Sequence, residues 1–191
     1  LLNLKEGVGA PTVAAKVIGT SGGGLSRTIL INRGSESGIS PDMPAVSAHG
    51  VVGRVWTVGP SIAKVQLVTD VDAGTATLIQ RTRVQGVMLG HGADVCSLEY
   101  VSTLDDVQDQ DLLVTSGLDG IYPKGLPVGT VVEVAVGEGI LRRVTVLPRV
   151  KFRRLEEVLI FLTREIALPP VPGGGAASSG AQSARPGGAR P

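Results

Sequence analysis

Glycine sets the limits of what this chain can fold into. Of its 191 residues, 27 are glycine. They fall between short runs of Val, Ile and Leu, the punctuation of small strands joined by tight turns. The stretch from Leu30 to Val55 shows the pattern most fully. Leu30-Ile-Asn32 closes an apolar run, and Arg33-Gly34, Ser37-Gly38 and Pro41-Asp42 supply turns. Glycine takes positive φ without steric cost there, and proline pre-sets φ. Ala45-Val46 restarts an extended run, His49-Gly50 turns the chain, and Val51-Val-Gly-Arg-Val55 opens the next strand.

The rest of the chain continues in kind. Strands are predicted at Thr12–Thr20, Ser61–Thr69, Thr75–Gln80, Val84–Leu89, Cys96–Val101, Leu112–Thr115, Thr130–Val136 and Leu141–Leu147, with a last buried run in Leu155–Thr163. In Ser61–Thr69 the residues Ala63, Val65 and Leu67 share one side and Ile62, Lys64, Gln66 and Val68 the other, the pattern of a half-buried strand. Aromatics make up only 3% of the chain, so the core must be built of aliphatics. A loose internal repeat relates Asp42-Met-Pro-Ala-Val-Ser-Ala-His-Gly…Gly53-Arg-Val to Asp111-Leu-Leu-Val-Thr-Ser-Gly…Gly129-Thr-Val. It predicts two small β units of one design. From Pro169 onward, 19 of 23 residues are Gly, Pro, Ala or Ser, a composition that cannot bury a core.

Several function classes are excluded. A net charge of +1 gives no general field for nucleic acid. No run of about 20 apolar residues is present to span a bilayer. The single cysteine, Cys96, reads as a small buried hydrophobe. His49 and His91 lack metal-ligand spacing, and Asp70 and Asp72 begin a cation loop whose later positions are not filled. No metal or cofactor is expected. The glycine loop Ser21–Gly24 lacks the helix start and Lys-Ser/Thr pair of a phosphate cradle. Asp105–Asp111 holds four aspartates and reads as a solvated turn, while Arg142–Arg154 holds six basic residues and no acidic one. The latter is a solvated face or a contact for an acidic partner.

One catalytic constellation needs weighing. The order His49, then Asp70 or Asp72, then Ser116 matches the His…Asp…Ser order used on double β-barrels. The residues around Ser116, Val-Thr-Ser-Gly-Leu, differ from the Gly-Asp-Ser-Gly-Gly of that enzyme class. A turn histidine and a turn serine capping local backbone are the stronger reading.

Two blocks resemble a known family. Gly34-Ser35, Gly38-Ile39, Met43, Val46, Gly50-Val-Val-Gly-Arg-Val55 and Val65-Gln-Leu-Val-Thr-Asp70 form the first. Val114-Thr-Ser-Gly-Leu-Asp-Gly-Ile-Tyr-Pro-Lys-Gly-Leu-Pro-Val-Gly-Thr-Val131 forms the second, more specific one. Together they resemble the extracytoplasmic domain of the MreC rod shape-determining family. The family often carries Gly-Asp where this chain has Gln110-Asp111.

The resemblance implies an all-β fold of two small β-barrel-like subdomains, a chymotrypsin-like double barrel without a working triad. It implies four segments: residues 1–12 ending a coiled-coil helix, 13–72 as a first barrel, 73–164 as a second, and 165–191 as a disordered tail. The last strands could close either barrel. The implied function is a non-catalytic scaffold of cell-wall elongation on the periplasmic side of the inner membrane, with a membrane anchor in the full-length protein. Implied partners are further copies of the chain, in a homodimer or higher self-assembly, the elongation transpeptidase (a class B penicillin-binding protein), and the membrane protein MreD. Gly34, Gly38, Gly50, Gly53, Arg54, Ser116, Gly117, Pro123, Gly125, Pro127 and Gly129 become its turn and packing positions. A trypsin-like hydrolase and a generic extracellular β adhesion module are the alternatives.

Overall fold

The computed structural model describes residues 11–21, 26–137 and 139–162. The expected helical end at Leu1–Gly7, the glycine loop at 22–24 and the tail lie outside them. Within them the chain is all-β. Its strands are β1 (Thr12–Ser21), β2 (Thr28–Ile31), β3 (Pro44–Ser47), β4 (Gly50–Val58), β5 (Ala63–Leu67), β6 (Gly74–Ile79), β7 (Gln85–Gly90), β8 (Cys96–Glu99), β9 (Leu112–Thr115), β10 (Pro127–Val136), β11 (Arg142–Pro148) and β12 (Glu157–Phe161). Two single 3₁₀ turns, Ser35–Ser37 and Phe152–Arg154, interrupt them.

The strands close into two antiparallel barrels of six. Around the first the order is β1-β12-β3-β4-β5-β2, and around the second β10-β11-β8-β7-β6-β9. The last strand therefore returns to the first barrel, where Thr12 pairs with Phe161 and Leu159 with Val46. With β12 placed ahead of β1, the two barrels have identical strand adjacency. In that frame β12, β1, β2, β3, β4 and β5 take the places of β6, β7, β8, β9, β10 and β11.

The internal repeat sits in this frame, one residue out of the register read from sequence. Ala45 pairs with Gly53, and Leu113 with Gly129. Asp42 then matches Gln110, and Met43 matches Asp111. The hydrogen bonds agree: Asp42 N donates to Val55 O and Gln110 N to Val131 O, while Val55 N donates to Met43 O and Val131 N to Asp111 O. The acidic residue that aligned the copies by eye is not the equivalent one.

Aliphatic packing holds the barrels together. Ile29, Ile31, Ala45, Val52, Val55, Ala63, Val65, Val158 and Ile160 fill the first barrel. Ile79, Met88, Leu98, Leu113, Val131, Val144 and Val146 belong to the second cluster, joined there by Val46, Val51, Val68, Leu159 and Phe161 from the first barrel's strands and their flank. Strand β12 is thus buried on both faces: Val158 and Ile160 face one cluster, Leu159 and Phe161 the other. That explains its unbroken apolar run, and each such side chain contributes about 1.5–3 kcal/mol.

Strand β10 begins three residues before the expected Thr130. Pro127 pairs with Val114, and a proline fits the first position of a strand, where its missing N–H is least needed.

Candidate interaction surface

The residues of the hydrolase reading are engaged separately. His49 donates its backbone N–H to Ser47 Oγ at 3.3 Å. Ser116 is buried, and its Oγ accepts the Leu118 N–H at 3.3 Å. Asp70 accepts from Arg27 N at 2.5 Å, Gln66 Nε2 at 2.9 Å and Asp72 N at 3.0 Å. Burial pushes the Asp70 carboxyl up, but the N–H groups of Arg27 and Asp72 with the Gln66 amide outweigh it and hold it below the usual range. Among the described residues no hydrogen bond joins these three side chains into a relay.

Asp70 is instead one end of a structural network. Arg54 Nε donates to Gln66 Oε1 at 3.1 Å, and Arg54 Nη1 lies 3.6 Å from Asp42. Gln66, on the side of β5 that carries exposed Lys64, is buried because it joins Arg54 to Asp70. Asp70 then fixes the turn that leads from the first barrel into the second.

The glycine-rich positions fall at turns and contacts. Gly38 closes the first 3₁₀ turn with φ of 80, and Gly117 and Gly125 have φ of 81 and 91. A Cβ on Gly34, Gly53 or Gly129 would meet a neighbouring chain segment; at Gly53 it would strike the Gln66 carbonyl oxygen. Gly50 carries both constraints, with φ of 146 and the Pro127 carbonyl of the other barrel against it. The Thr115 hydroxyl donates to Pro123 O at 2.5 Å. Asp119 accepts from Ile121 N, Tyr122 N and Ala76 N, so the long connection between β9 and β10 is pinned. Tyr122 is buried, and its hydroxyl is pushed up by burial and by Asp119.

The acidic segment is not simply solvated. Asp111 is buried and receives Arg81 Nε and Nη2 at 2.8 and 2.9 Å, and Arg81 also holds Asp106. Hydrogen bonding by Arg81 keeps both carboxyls below their ordinary range. Cys96 is buried and aims Sγ at Val68 O, 3.7 Å away; burial pushes its thiol up to about 12.

Three surface features remain. The first is an outer face of the first barrel. Trp56, the only tryptophan, is more than half exposed at a bulge in β4. Ile18, at a bulge in β1, and Ile62, just before β5, are also exposed. Because Ile29 and Ile31 point into the core, half-buried Leu30 points outward between them. The register Thr57–Lys64–Leu30–Gly19 runs across all four strands and makes this one face. The second gathers Tyr100, Leu104, Val136, Ile140 and Leu141, all exposed, around the β10–β11 turn, where Thr103 N donates to Ile140 O.

The third is a cavity of about 510 Å³ where the chain leaves β11 for β12. Pro148, Val150 and Phe152 form its apolar lining, and Arg149, Lys151, Arg153 and Arg154 bring cations to it. Asp94 stands in its wall, 2.9 Å from Arg27 Nη1 and 3.7 Å from Arg153 Nη2. The Arg27 hydrogen bond holds the Asp94 carboxyl low. The sequence pointed to the basic run, but not to Asp94 or to the apolar lining.

Fold and surface together define an all-β domain of two closed six-stranded barrels, with apolar and cationic groups exposed on its surface. A model described as "Rod shape-determining protein MreC, barrel core" matches residues 17–162. The chain belongs to this MreC family. It is 38% identical over 133 residues to the cell shape-determining protein MreC of Caulobacter vibrioides, covering 70% of this chain and 38% of that relative. The chain thus spans well under half of that relative's length. The crystal structure of MreC from Pseudomonas aeruginosa is similar, with a TM-score of 0.76 at 31% identity, over 78% of this chain and 98% of that one. An MreC chain in a complex with penicillin-binding protein PBP2 from Helicobacter pylori shares the fold, with a TM-score of 0.60 at 15% identity over 79% and 99% of the two chains.

Proposed function

We propose that this chain is the double-barrel part of a non-catalytic cell-shape scaffold, acting on the periplasmic side of the bacterial inner membrane. Membership of the MreC family over residues 17–162 is the observation that carries the reading. In the full-length protein an anchor and a coiled coil would hold these barrels beside the wall-building machinery. The partners are further copies of the chain, the membrane protein MreD and the elongation transpeptidase. Support for the last comes from the fold shared with a chain solved in complex with a penicillin-binding protein.

Both sheets close into barrels, which removes open strand edges as a docking route. Side-chain surfaces must do the binding. The face around Trp56, with Ile18, Leu30 and Ile62, is the best suited for the transpeptidase, because contiguous exposed apolar groups mark interaction sites and tryptophan is enriched among the residues that carry binding energy.

Co-purification of the chain with the elongation transpeptidase of the same organism tests this. Wild-type chain should retain the enzyme, and Trp56→Ala should weaken retention by about 2 kcal/mol, near thirtyfold. Failure of the wild-type chain to bind removes the scaffold reading of these barrels. Binding untouched by Trp56→Ala removes this face from it.

A further inference from the structure

We propose that the cavity between β11 and β12 is a docking site for an acidic peptide carrying apolar side chains. This inference does not rest on the transpeptidase reading. Its volume, about 510 Å³, lies inside the range of about 300–1,000 Å³ of small-ligand pockets. The apolar lining from Pro148, Val150 and Phe152 suits side chains without charge. The cations suit carboxylates, and their distribution matters. Arg149 and Lys151 lie in the loop after β11, and Arg153 and Arg154 in the 3₁₀ turn that follows. Four separate cations from six successive residues line the one cavity, enough to meet several carboxylates of an extended peptide.

Asp94 sharpens the choice. An ionised carboxylate in the wall repels any anion set directly against it, so a ligand must turn an uncharged group toward Asp94. A peptide with spaced carboxylates can place a backbone N–H there, whereas a compact phosphate group has only anionic oxygens to offer. The occupants closer to hand are poorly matched. Residues 163–191 hold one acidic residue, Glu165, against three arginines, so the chain's own tail is not complementary. The acidic segment of a second copy has two of its carboxylates, Asp106 and Asp111, already committed to Arg81. A peptide from another protein fits the charge pattern best.

The test uses fluorescence anisotropy with a labelled peptide, Glu-Leu-Glu-Phe-Glu-Leu-Glu, and the same peptide with every Glu replaced by Gln. The wild-type chain should bind the first, release it as salt rises, and hold the second at least tenfold more weakly. Arg149→Glu combined with Lys151→Glu should cost at least tenfold, whereas Arg33→Glu, on the other barrel, should cost nothing. Both side chains at the cavity are exposed, so thermal melts should confirm that the double variant remains folded. Equal binding by the double variant, or by the Gln peptide, overturns the proposal. So does phosphatidylglycerol vesicle binding that the double variant abolishes while the peptide stays free, which would make the site a lipid site. Loss of self-association in the double variant, again with the peptide unbound, would assign the cavity to a second copy.

Discussion

Asp42 and Gln110 occupy the same left-handed turn in the two barrels, with φ of 64 and 71. Each donates its N–H to the second strand downstream, Asp42 to Val55 O in β4 and Gln110 to Val131 O in β10. A residue with a Cβ is strained in that conformation by roughly 1 kcal/mol, and aspartate tolerates it better than glutamine. The family pattern's glycine at this position answers the same constraint.

Gln110→Gly should therefore stabilise the chain by about 0.5–1 kcal/mol, a rise of about 1–4 °C in Tm. Gln110→Val should lower it. Differential scanning calorimetry of the two variants decides, and the opposite order would remove strain at Gln110 as a factor.

Gly53 should be among the least replaceable residues. A Cβ there meets the Gln66 backbone, not a movable side-chain end, so β4 and β5 must separate. Gly53→Val should cost about 3 kcal/mol or more in urea unfolding, whereas His49→Ala, at an exposed turn, should stay within about 0.5 kcal/mol.

The Arg81–Asp111 pair should make stability depend on acid. The folded Asp111 carboxyl titrates below its unfolded value of about 3.9. Its contribution is complete above that value and is lost as pH falls through the lower folded one. Asp111→Asn should cost about 1–3 kcal/mol at neutral pH and flatten the loss of stability below about pH 4. Denaturant midpoints across this range would show both effects.

Ser116 should not react as a nucleophile. Its Oγ accepts the Leu118 N–H, and no histidine or carboxylate is bonded to it among the described residues. A fluorophosphonate probe should leave the chain unlabelled. Ser116→Ala should cost only about 0.5–1.5 kcal/mol, the value of one hydrogen bond.

What could be read from the sequence was local. Alternation placed Ala63, Val65 and Leu67 together on one side of a half-buried strand, and the turn chemistry of Gly38 and Gly117 follows from backbone needs a few residues long. What was not legible depends on partners far along the chain. Asp111 looked solvated because Arg81 lies 30 positions away, and Asp94 went unnoticed because Arg27 lies 67 away. Gln66 shows the same limit. Alternation put it on one side with Lys64, and only its contacts with Arg54 and Asp70 explain its burial. The one-residue error in the repeat arose because residue type was matched where backbone conformation is what the barrels share.

The return of β12 to the first barrel has a consequence in time. A chain emerging from its N-terminus presents β1 to β5 first, yet that barrel keeps a gap between β1 and β3 until Phe161 has appeared. The second barrel needs only the continuous span from Gly74 to Pro148. The barrel begun first is finished last. Until then two strand edges stand open on a half-built sheet, each ready to pair with a stranger.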